Sequence, residues 1–150
     1  MDRKFMDLAL IRARRAGEDG EVPVGAVVVR DGKVIGTGRN RREKTHNALA
    51  HAEIEAINAA CAETGDWRLD DCELYVTLEP CPMCAGAIIN SRINRLIFGA
   101  FDYRAGACGS VINLFEQNFN HKPSVTAGLM ETQCKNELTK FFKKLREKRI

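Results

Sequence analysis

Two short clusters in this chain carry side chains that bind metals and transfer protons. His51 and Glu53 stand two positions apart, and Cys81 and Cys84 stand three apart within Pro80-Cys81-Pro82-Met83-Cys84. One imidazole and two thiolates are typical zinc ligands, and three protein ligands leave a fourth position for water. A carboxylate beside the metal can take a proton from that water and return it to a leaving group. The pattern therefore predicts hydrolytic zinc chemistry, with Glu53 as the proton carrier.

The two cysteines also allow other interpretations. A Cys-x-x-Cys pair can be a redox couple, but it then usually follows a strand in a thioredoxin-like order and leaves His51 and Glu53 without a role. A closed structural zinc site needs a fourth ligand. The remaining candidates for that ligand are Cys61, Cys72, Cys108, Cys134, His46 and His121. Isolated cysteines are more often small buried hydrophobic residues, so we favour an open site with three ligands.

The predicted helices explain how the two clusters can meet. The cysteines fall at the start of a helix opened by Pro82, where backbone N–H groups and the helix dipole favour thiolates. Two positions on a helix are roughly 200° apart around its axis, so His51 and Glu53 can reach one cavity only from a first turn. A helix predicted from about residue 49 to residue 63 places them there.

Hydrophobic periodicity and turn residues predict alternating strands and helices. Two strands flank Asp31-Gly32, a dipeptide that supplies the positive φ angles of a tight hairpin. The predicted helices span residues 2–17, 49–63, 82–91, 111–115 and 131–147, and the predicted strands span 24–29, 33–38, 74–78, 95–100 and 124–127. Strands separated by helices need crossover connections. We therefore predict an α/β fold with three α/β/α layers and a central mixed sheet of about five strands.

Length and composition indicate a single domain over residues 1–150. Hydrophobic residues make up 45% and charged residues 29% of the chain, as in ordinary compact proteins. Six cysteines are too few for a disulfide scaffold and favour a reducing, cytoplasmic location. Asp2 and Asp7 interrupt the start where a secretion signal would be apolar. The uncharged run at residues 22–29 is far shorter than the roughly 20 residues of a membrane span, so we expect no membrane association.

Beyond the two clusters, the chain resembles the bacterial tRNA-specific adenosine deaminases. His51-Ala52-Glu53 followed by Pro80-Cys81-Pro82-Met83-Cys84 matches the His-x-Glu…Pro-Cys-x-x-Cys signature of zinc nucleobase deaminases. The resemblance covers nearly the whole chain, from residue 5 to residue 146. Further matching segments are Val22-Pro23-Val24-Gly25-Ala26, Asn40, Leu74-Tyr75-Val76-Thr77-Leu78-Glu79-Pro80, Ala85-Gly86-Ala87-Ile88, Ser91-Arg92-Ile93, Phe98-Gly99-Ala100-Phe101-Asp102 and Gly109-Ser110.

The resemblance implies a cytidine-deaminase-like fold, a homodimer, one Zn²⁺ per subunit and no organic cofactor. It also implies that the wobble adenosine of a tRNA anticodon is converted to inosine, in bacteria chiefly in an arginine tRNA. By position, the implied roles are zinc binding for His51, Cys81 and Cys84, proton transfer for Glu53, and substrate binding for Asn40, Asp102 and Arg104. Bound zinc lowers the pKa of water towards about 7, which makes hydroxide available to attack C6 of adenine.

The C-terminal helix gives a second indication of nucleic acid binding. The formal charge of the chain is +3, but residues 1–135 carry −1 and residues 136–150 carry +4. The basic residues of this end are Lys140, Lys143, Lys144, Arg146, Lys148 and Arg149. A basic helix face beside an active site suits a phosphate backbone. Leu138, Phe141, Phe142 and Leu145 recur with helical spacing, and we expect them to pack on the protein body rather than to stack on bases.

The sequence leaves two other functions open. A small-molecule deaminase of the same fold, acting on guanine, cytosine or a free nucleoside, would share the metal site but would not need the basic C-terminal end. A catalytically silent RNA-binding module would use zinc only for structure, so replacing Glu53 would change no measurable property.

Overall fold

The computed structural model describes residues 1–148, so Arg149 and Ile150 of the predicted basic end lie outside the described residues. The helices are α1 (Asp2–Glu18), α2 (Arg42–Thr45), α3 (Ala52–Thr64), α4 (Pro82–Ser91) and α5 (Glu131–Glu147), with a 3-10 turn at Leu114–Glu116. The strands are β1 (Gly25–Arg30), β2 (Lys33–Arg39), β3 (Cys72–Leu78), β4 (Arg95–Ala100) and β5 (Ser124–Ala127). Within residues 1–148, no helix has the length and apolar character needed to cross a membrane.

The strands form one mixed sheet in the order β2-β1-β3-β4-β5. The pairs β1–β2 and β1–β3 are antiparallel, and the pairs β3–β4 and β4–β5 are parallel. The hairpin turn between β1 and β2 has the positive φ angles that its sequence predicts, 51° at Asp31 and 74° at Gly32. The predicted mixed sheet of five strands is therefore confirmed.

The two faces of the sheet carry different helices because successive residues of a strand point to opposite sides. On β1, Ala26 and Val28 pack in a cluster with α3 and α4. Val27 and Val29 pack in the other cluster, with α1 and with Cys134 of α5. The sheet is thus the middle of three α/β/α layers, as the sequence predicts.

The strand directions bring four connecting segments to one edge of the sheet. The parallel strands β3 and β4 end side by side, with Leu78 opposite Ala100 and the Glu79 N–H donating to the Ala100 carbonyl at 2.9 Å. Since β1 is antiparallel to β3, its first residue, Gly25, lies at the same edge, paired with Arg39 at the end of β2. The residues after β2, β3 and β4 and those before β1 therefore surround a common region.

Helix α3 packs closely on β2 because two strand positions lack a side chain. A Cβ at Gly36 would overlap the backbone of Ala56 and Ala60, and a Cβ at Gly38 would overlap the backbone of Ala52 and Ala56. Because these glycines allow close contact, the sheet fixes the position of the first turn of α3.

Apart from shifts of one or two residues at the ends of other elements, three elements differ from the sequence prediction. Helix α3 begins at Ala52 rather than near residue 49, because Asn47 closes a local turn by accepting the Leu49 N–H at 2.9 Å. The polar stretch after β2 contains the short helix α2. The helix predicted at residues 111–115 is a 3-10 turn that starts at Leu114, where the side chain of Asn113 caps the Phe115 N–H at 3.1 Å.

Candidate active site

The structure brings the three predicted metal ligands together. His51 Nδ1 lies 3.6 Å from Cys81 Sγ and 3.6 Å from Cys84 Sγ. One ligand atom from each residue lies within 4.8 Å of the other two. The group joins the start of α3 to the start of α4 and could hold a metal ion.

Each ligand is placed by a helix start. His51 is the residue before α3 and has extended backbone angles (φ −80°, ψ 152°). Cys81 is the residue before α4 and is also extended (φ −75°, ψ 175°), while Pro82 opens the helix and Cys84 is its third residue. Two helix N-termini, which favour negative charge, therefore face the cluster.

The cluster holds one thiol in its ionised form. Hydrogen bonds from Cys84 and His51 lower the pKa of Cys81 to about 4. The same hydrogen bond between the thiols raises the pKa of Cys84, and the contact with Cys81 raises the pKa of His51. A thiolate at Cys81 is the form that binds metals.

Glu53 lies beside these ligands but is not one of them. It is the second residue of α3, and its side chain is only 4% exposed. Burial raises the pKa of its carboxyl group to about 7. A carboxyl group with a pKa near neutrality can both accept and return a proton at physiological pH. This arrangement is consistent with the prediction that His51 and Glu53 reach one cavity from the start of a helix.

A pocket of about 170 Å³ opens next to the cluster. Its walls come from the segment before β1, from α2, from the start of α3 and from the segments after β3 and β4. The lining residues are Val22, Val24, Asn40, Arg42, His51, Ala52, Glu53, Leu78, Glu79, Cys81, Asp102 and Ala105. The predicted substrate residues Asn40 and Asp102 thus share the pocket with Glu53.

Side-chain hydrogen bonds fix two of the pocket residues. The side-chain oxygen Oδ1 of Asn40 accepts the backbone N–H of Arg42 at 3.1 Å, which leaves the side-chain NH₂ group of Asn40 as a donor. Asp102 Oδ1 accepts the N–H groups of Arg104 and Ala105 at 3.0 and 3.1 Å. Asp102 therefore shapes its own loop.

Arg104 lies away from this pocket. It lines a neighbouring groove with one side of α5, where the other residues are Lys135, Leu138, Thr139, Phe142, Leu145 and Arg146. Asp102 and Ala105 line the pocket and Arg104 lines the groove, so the same loop contributes to both. Three cationic side chains and an exposed phenyl ring lie along it.

The expected packing of the C-terminal apolar residues is only partly right. Leu138 packs against the core on the α1 side of the sheet. Phe142 and Leu145 are each 38% exposed, and the Phe142 ring meets Phe141 edge to face at 5.3 Å between centroids. Phe141 is partly buried and lines a cavity with Arg14 and Pro23, whereas Phe142 and Leu145 keep part of their apolar surface exposed.

The alternative of a closed metal site with a fourth ligand finds no support in residues 1–148. No further histidine, cysteine, aspartate or glutamate of this part of the chain joins the group of three. His121, for instance, contacts the Ile93 carbonyl at 2.7 Å, and the Cys61 thiol contacts the Trp67 carbonyl. All six cysteines are free thiols.

Sequence reasoning gave no role to three charged residues around the pocket. Arg42 lines it, and Glu79 lines it while only 2% exposed. Glu21, also 2% exposed, accepts the N–H groups of Glu43 and Lys44 and so holds α2 in place. In the sequence, Glu21 and Glu79 are distinguished only by lying directly beside an apolar segment, at Glu21-Val22 and at Leu78-Glu79.

Comparison with known proteins identifies the family of the chain. The chain matches the MafB19-like deaminase family over residues 1–146. The tRNA-specific adenosine deaminase of Bacillus subtilis (strain 168) is 46% identical over 149 residues, covering 99% of this chain and 92% of the relative. That of Agrobacterium fabrum (strain C58 / ATCC 33970) is 49% identical over 147 residues, covering 97% of this chain and 95% of the relative.

Solved structures show the same fold. A structure from a study of A-to-I editing by tRNA:A34 deaminases at the wobble position of transfer RNA is 48% identical, with a TM-score of 0.88, over 91% of this chain and 99% of that one. The guanine deaminase of Nitrosomonas europaea is 27% identical, with a TM-score of 0.80, over 91% of this chain and 82% of that one. The predicted family is confirmed: the chain belongs to the MafB19-like deaminase family, in the group of the tRNA-specific adenosine deaminases.

Proposed function

We propose that this protein deaminates the wobble adenosine of a tRNA anticodon to inosine, in an arginine tRNA, with one Zn²⁺ per subunit. The observation that carries the proposal is the meeting of His51, Cys81 and Cys84 beside the buried carboxyl group of Glu53, in a pocket lined by Asn40 and Asp102. Relatives that are 42–49% identical over nearly the full chain are named for this substrate class.

The spacing of the ligand atoms fits zinc. Tetrahedral zinc bonds of about 2.3 Å to sulfur and about 2.1 Å to nitrogen separate these two ligand atoms by about 3.6 Å. The two distances between the His51 nitrogen and the cysteine sulfurs are both 3.6 Å. Zinc held there by His51, Cys81 and Cys84 would supply an activated water molecule near neutral pH.

Glu53 moves the protons of the reaction. Its carboxylate takes up a proton from the attacking water and passes it to N1 of the adenine ring. The proton that remains on the hydroxyl group added at C6 then passes to the C6 amino group, which leaves as ammonia while the oxygen stays on C6. The net change is adenosine plus water to inosine plus ammonia.

The pocket selects a small planar group. Its volume of about 170 Å³ lies below the range of roughly 300–1,000 Å³ that is common for larger ligands. The free NH₂ group of Asn40 is the donor available for an acceptor on the ring. An adenine must leave its stack to enter, and an anticodon loop allows this at low cost.

The groove beside the pocket supports RNA as the substrate. Arg104, Lys135 and Arg146 line it together with the exposed ring of Phe142. Cations suit the phosphates that flank the target base, and an exposed ring can stack on a neighbouring base. A free base would occupy the pocket without needing this groove.

We further propose that the protein works as a homodimer in the cytoplasm, as the resemblance implies. Exposed apolar side chains adjoin the site at Leu49, two residues before His51, and at Val111 and Ile112 after the 102–110 segment. Sedimentation of the full chain tests this: the proposal requires twice the monomer mass of 16.7 kDa.

The test of the function is a substrate comparison with zinc-loaded protein. Anticodon stem-loops with adenosine at the wobble position are compared with the same stem-loops carrying adenosine at a neighbouring position, and with free adenine, guanine and cytosine. We expect inosine only at the wobble position, fastest in the arginine stem-loop. Turnover of guanine with no inosine in RNA would instead assign the activity of the guanine deaminases that share the fold.

A further inference from the structure

A buried carboxylate holds one wall of the pocket. Glu79 directly follows β3 and is 2% exposed. Its Oε1 accepts the N–H of Asp102 at 3.0 Å, and its Oε2 accepts the N–H groups of Cys108 and Ser110 at 3.0 Å each. The Ser110 hydroxyl also donates to Oε1. One side chain thus binds both ends of the 102–110 segment.

The segment lies on Glu79 with no space between them. A Cβ at Gly106 would overlap both the Glu79 carboxyl group and the Asp102 carbonyl oxygen. The Ala107 N–H donates to the Pro80 carbonyl at 2.9 Å, which adds a second attachment to the same stretch. The absence of a side chain at residue 106 therefore allows the carboxylate to be enclosed by backbone donors.

We propose that Glu79 is a positioning residue for deamination, because it fixes the segment that supplies Asp102 and Ala105 to the substrate pocket. The inference rests on the proposed function. Glu79 is distinct from Glu53, since every hydrogen bond of its carboxylate goes to the 102–110 segment. Its effect should fall on substrate binding, while the metal ligands and Glu53 keep their places.

The Glu79→Gln substitution tests whether the Glu79 carboxylate holds the 102–110 segment in place. An amide has one acceptor oxygen and one donor group, so in either orientation at least one backbone N–H loses its acceptor. For a charge-assisted buried interaction we expect the KM for the anticodon stem-loop to rise about tenfold. We expect kcat to stay within about twofold and zinc content to remain one per chain.

A second variant reaches the same segment without changing the carboxylate. Gly106→Ala pushes the segment away from Glu79 and should raise KM in the same way. Ser110→Ala removes only the hydroxyl donor and should give a smaller rise in KM. It also serves as the test if Glu79→Gln does not fold.

The matched control is Glu73→Gln, the same substitution near the opposite end of β3, where the carboxylate binds Arg95. Its KM and kcat should equal those of the unmodified protein.

Hydrogen exchange separates this inference from the proposed function. Amides 102, 108 and 110 should exchange faster in Glu79→Gln than in Glu73→Gln. Unchanged exchange and an unchanged KM would overturn the inference, and so would a loss of activity that follows loss of zinc. If the unmodified protein deaminates no RNA, the proposed function fails and the effect of Glu79 on catalysis fails with it, while the exchange data still report whether Glu79 holds the segment.

Discussion

Gly38 of β2 lies directly against Ala52, the first residue of α3, so closely that a Cβ on Gly38 would overlap the Ala52 carbonyl oxygen. This contact fixes the start of the helix relative to the sheet. His51 and Glu53 flank Ala52 in the chain. The positions of a candidate metal ligand and of the proposed proton carrier therefore depend on a strand residue that has no side chain.

Replacing Gly38 with alanine should move the first turn of α3. We expect a loss of about 2 kcal/mol in the free energy of unfolding, as for other overpacked contacts, and at least a tenfold lower deamination rate, since misplaced reacting groups cost about that much or more. Urea unfolding and a stem-loop assay measure the two effects. The matched control is Gly17→Ala in α1, where the added Cβ meets only an ordinary contact of 3.5 Å with Pro23. An equal loss in both variants would contradict the prediction.

Replacing Glu53 with glutamine should abolish proton transfer while preserving the metal site. We expect at least a 100-fold lower rate, the usual contribution of a general acid–base group, with unchanged zinc content by atomic absorption. Glu63→Gln, an exposed position on the same helix, serves as the control and should keep full activity. A fully active Glu53→Gln protein would show that the proton travels by another route.

Removing the metal should make Cys81 the most reactive thiol. Its pKa is lowered to about 4, so at pH 6 it is almost entirely thiolate. The pKa values of the other five thiols are raised, that of Cys84 by its hydrogen bond to Cys81 and the rest chiefly by burial. After treatment with a chelator, iodoacetamide at pH 6 should label Cys81 first, as read by peptide mass spectrometry.

The pH dependence and the metal provide the controls for this labelling. The rate at Cys81 should fall only as the pH drops through about 4, because protonation then removes the thiolate. Protein reloaded with zinc should be protected at Cys81. Labelling of Cys81 that is equally fast with and without zinc would exclude it as a ligand.

Neutralising the groove cations should weaken RNA binding in a salt-dependent way. If Arg104 and Arg146 each contact one phosphate, Arg104→Ala combined with Arg146→Ala should make the slope of log K against log salt shallower by about 1.5. Lys33→Ala combined with Arg68→Ala, at exposed positions at the start of β2 and in the segment before β3, should leave the slope unchanged. Equal slopes for the two double variants would remove the groove from the RNA surface.

Substituting single residues tests the role of this end of the chain in RNA binding more specifically than deleting residues 136–150. The deleted segment would include Leu138, which packs against the core, and Glu137, which pairs with Arg14 at 2.9 Å. Its loss would therefore combine a folding defect with a change of charge.

The sequence by itself determined most of the fold and the chemistry. Strands and helices follow from residue periodicity, and the Asp31-Gly32 turn follows from local backbone preference. The candidate metal ligands were recognisable because a three-ligand metal site needs particular side chains at fixed spacing, here at the starts of two helices. These are local properties, so they can be read without knowing which distant segments touch.

Only the tertiary structure decided how the pocket walls are held. Glu21 supports α2 from 22 residues away, and Glu79 binds a segment 23 to 31 residues later. The same long-range packing placed Arg104 in a groove with α5 rather than in the pocket, and buried Glu53 deeply enough to raise its pKa to about 7. Burial and hydrogen bonding between distant segments depend on the complete packing of the chain, and no local pattern in the sequence encodes them.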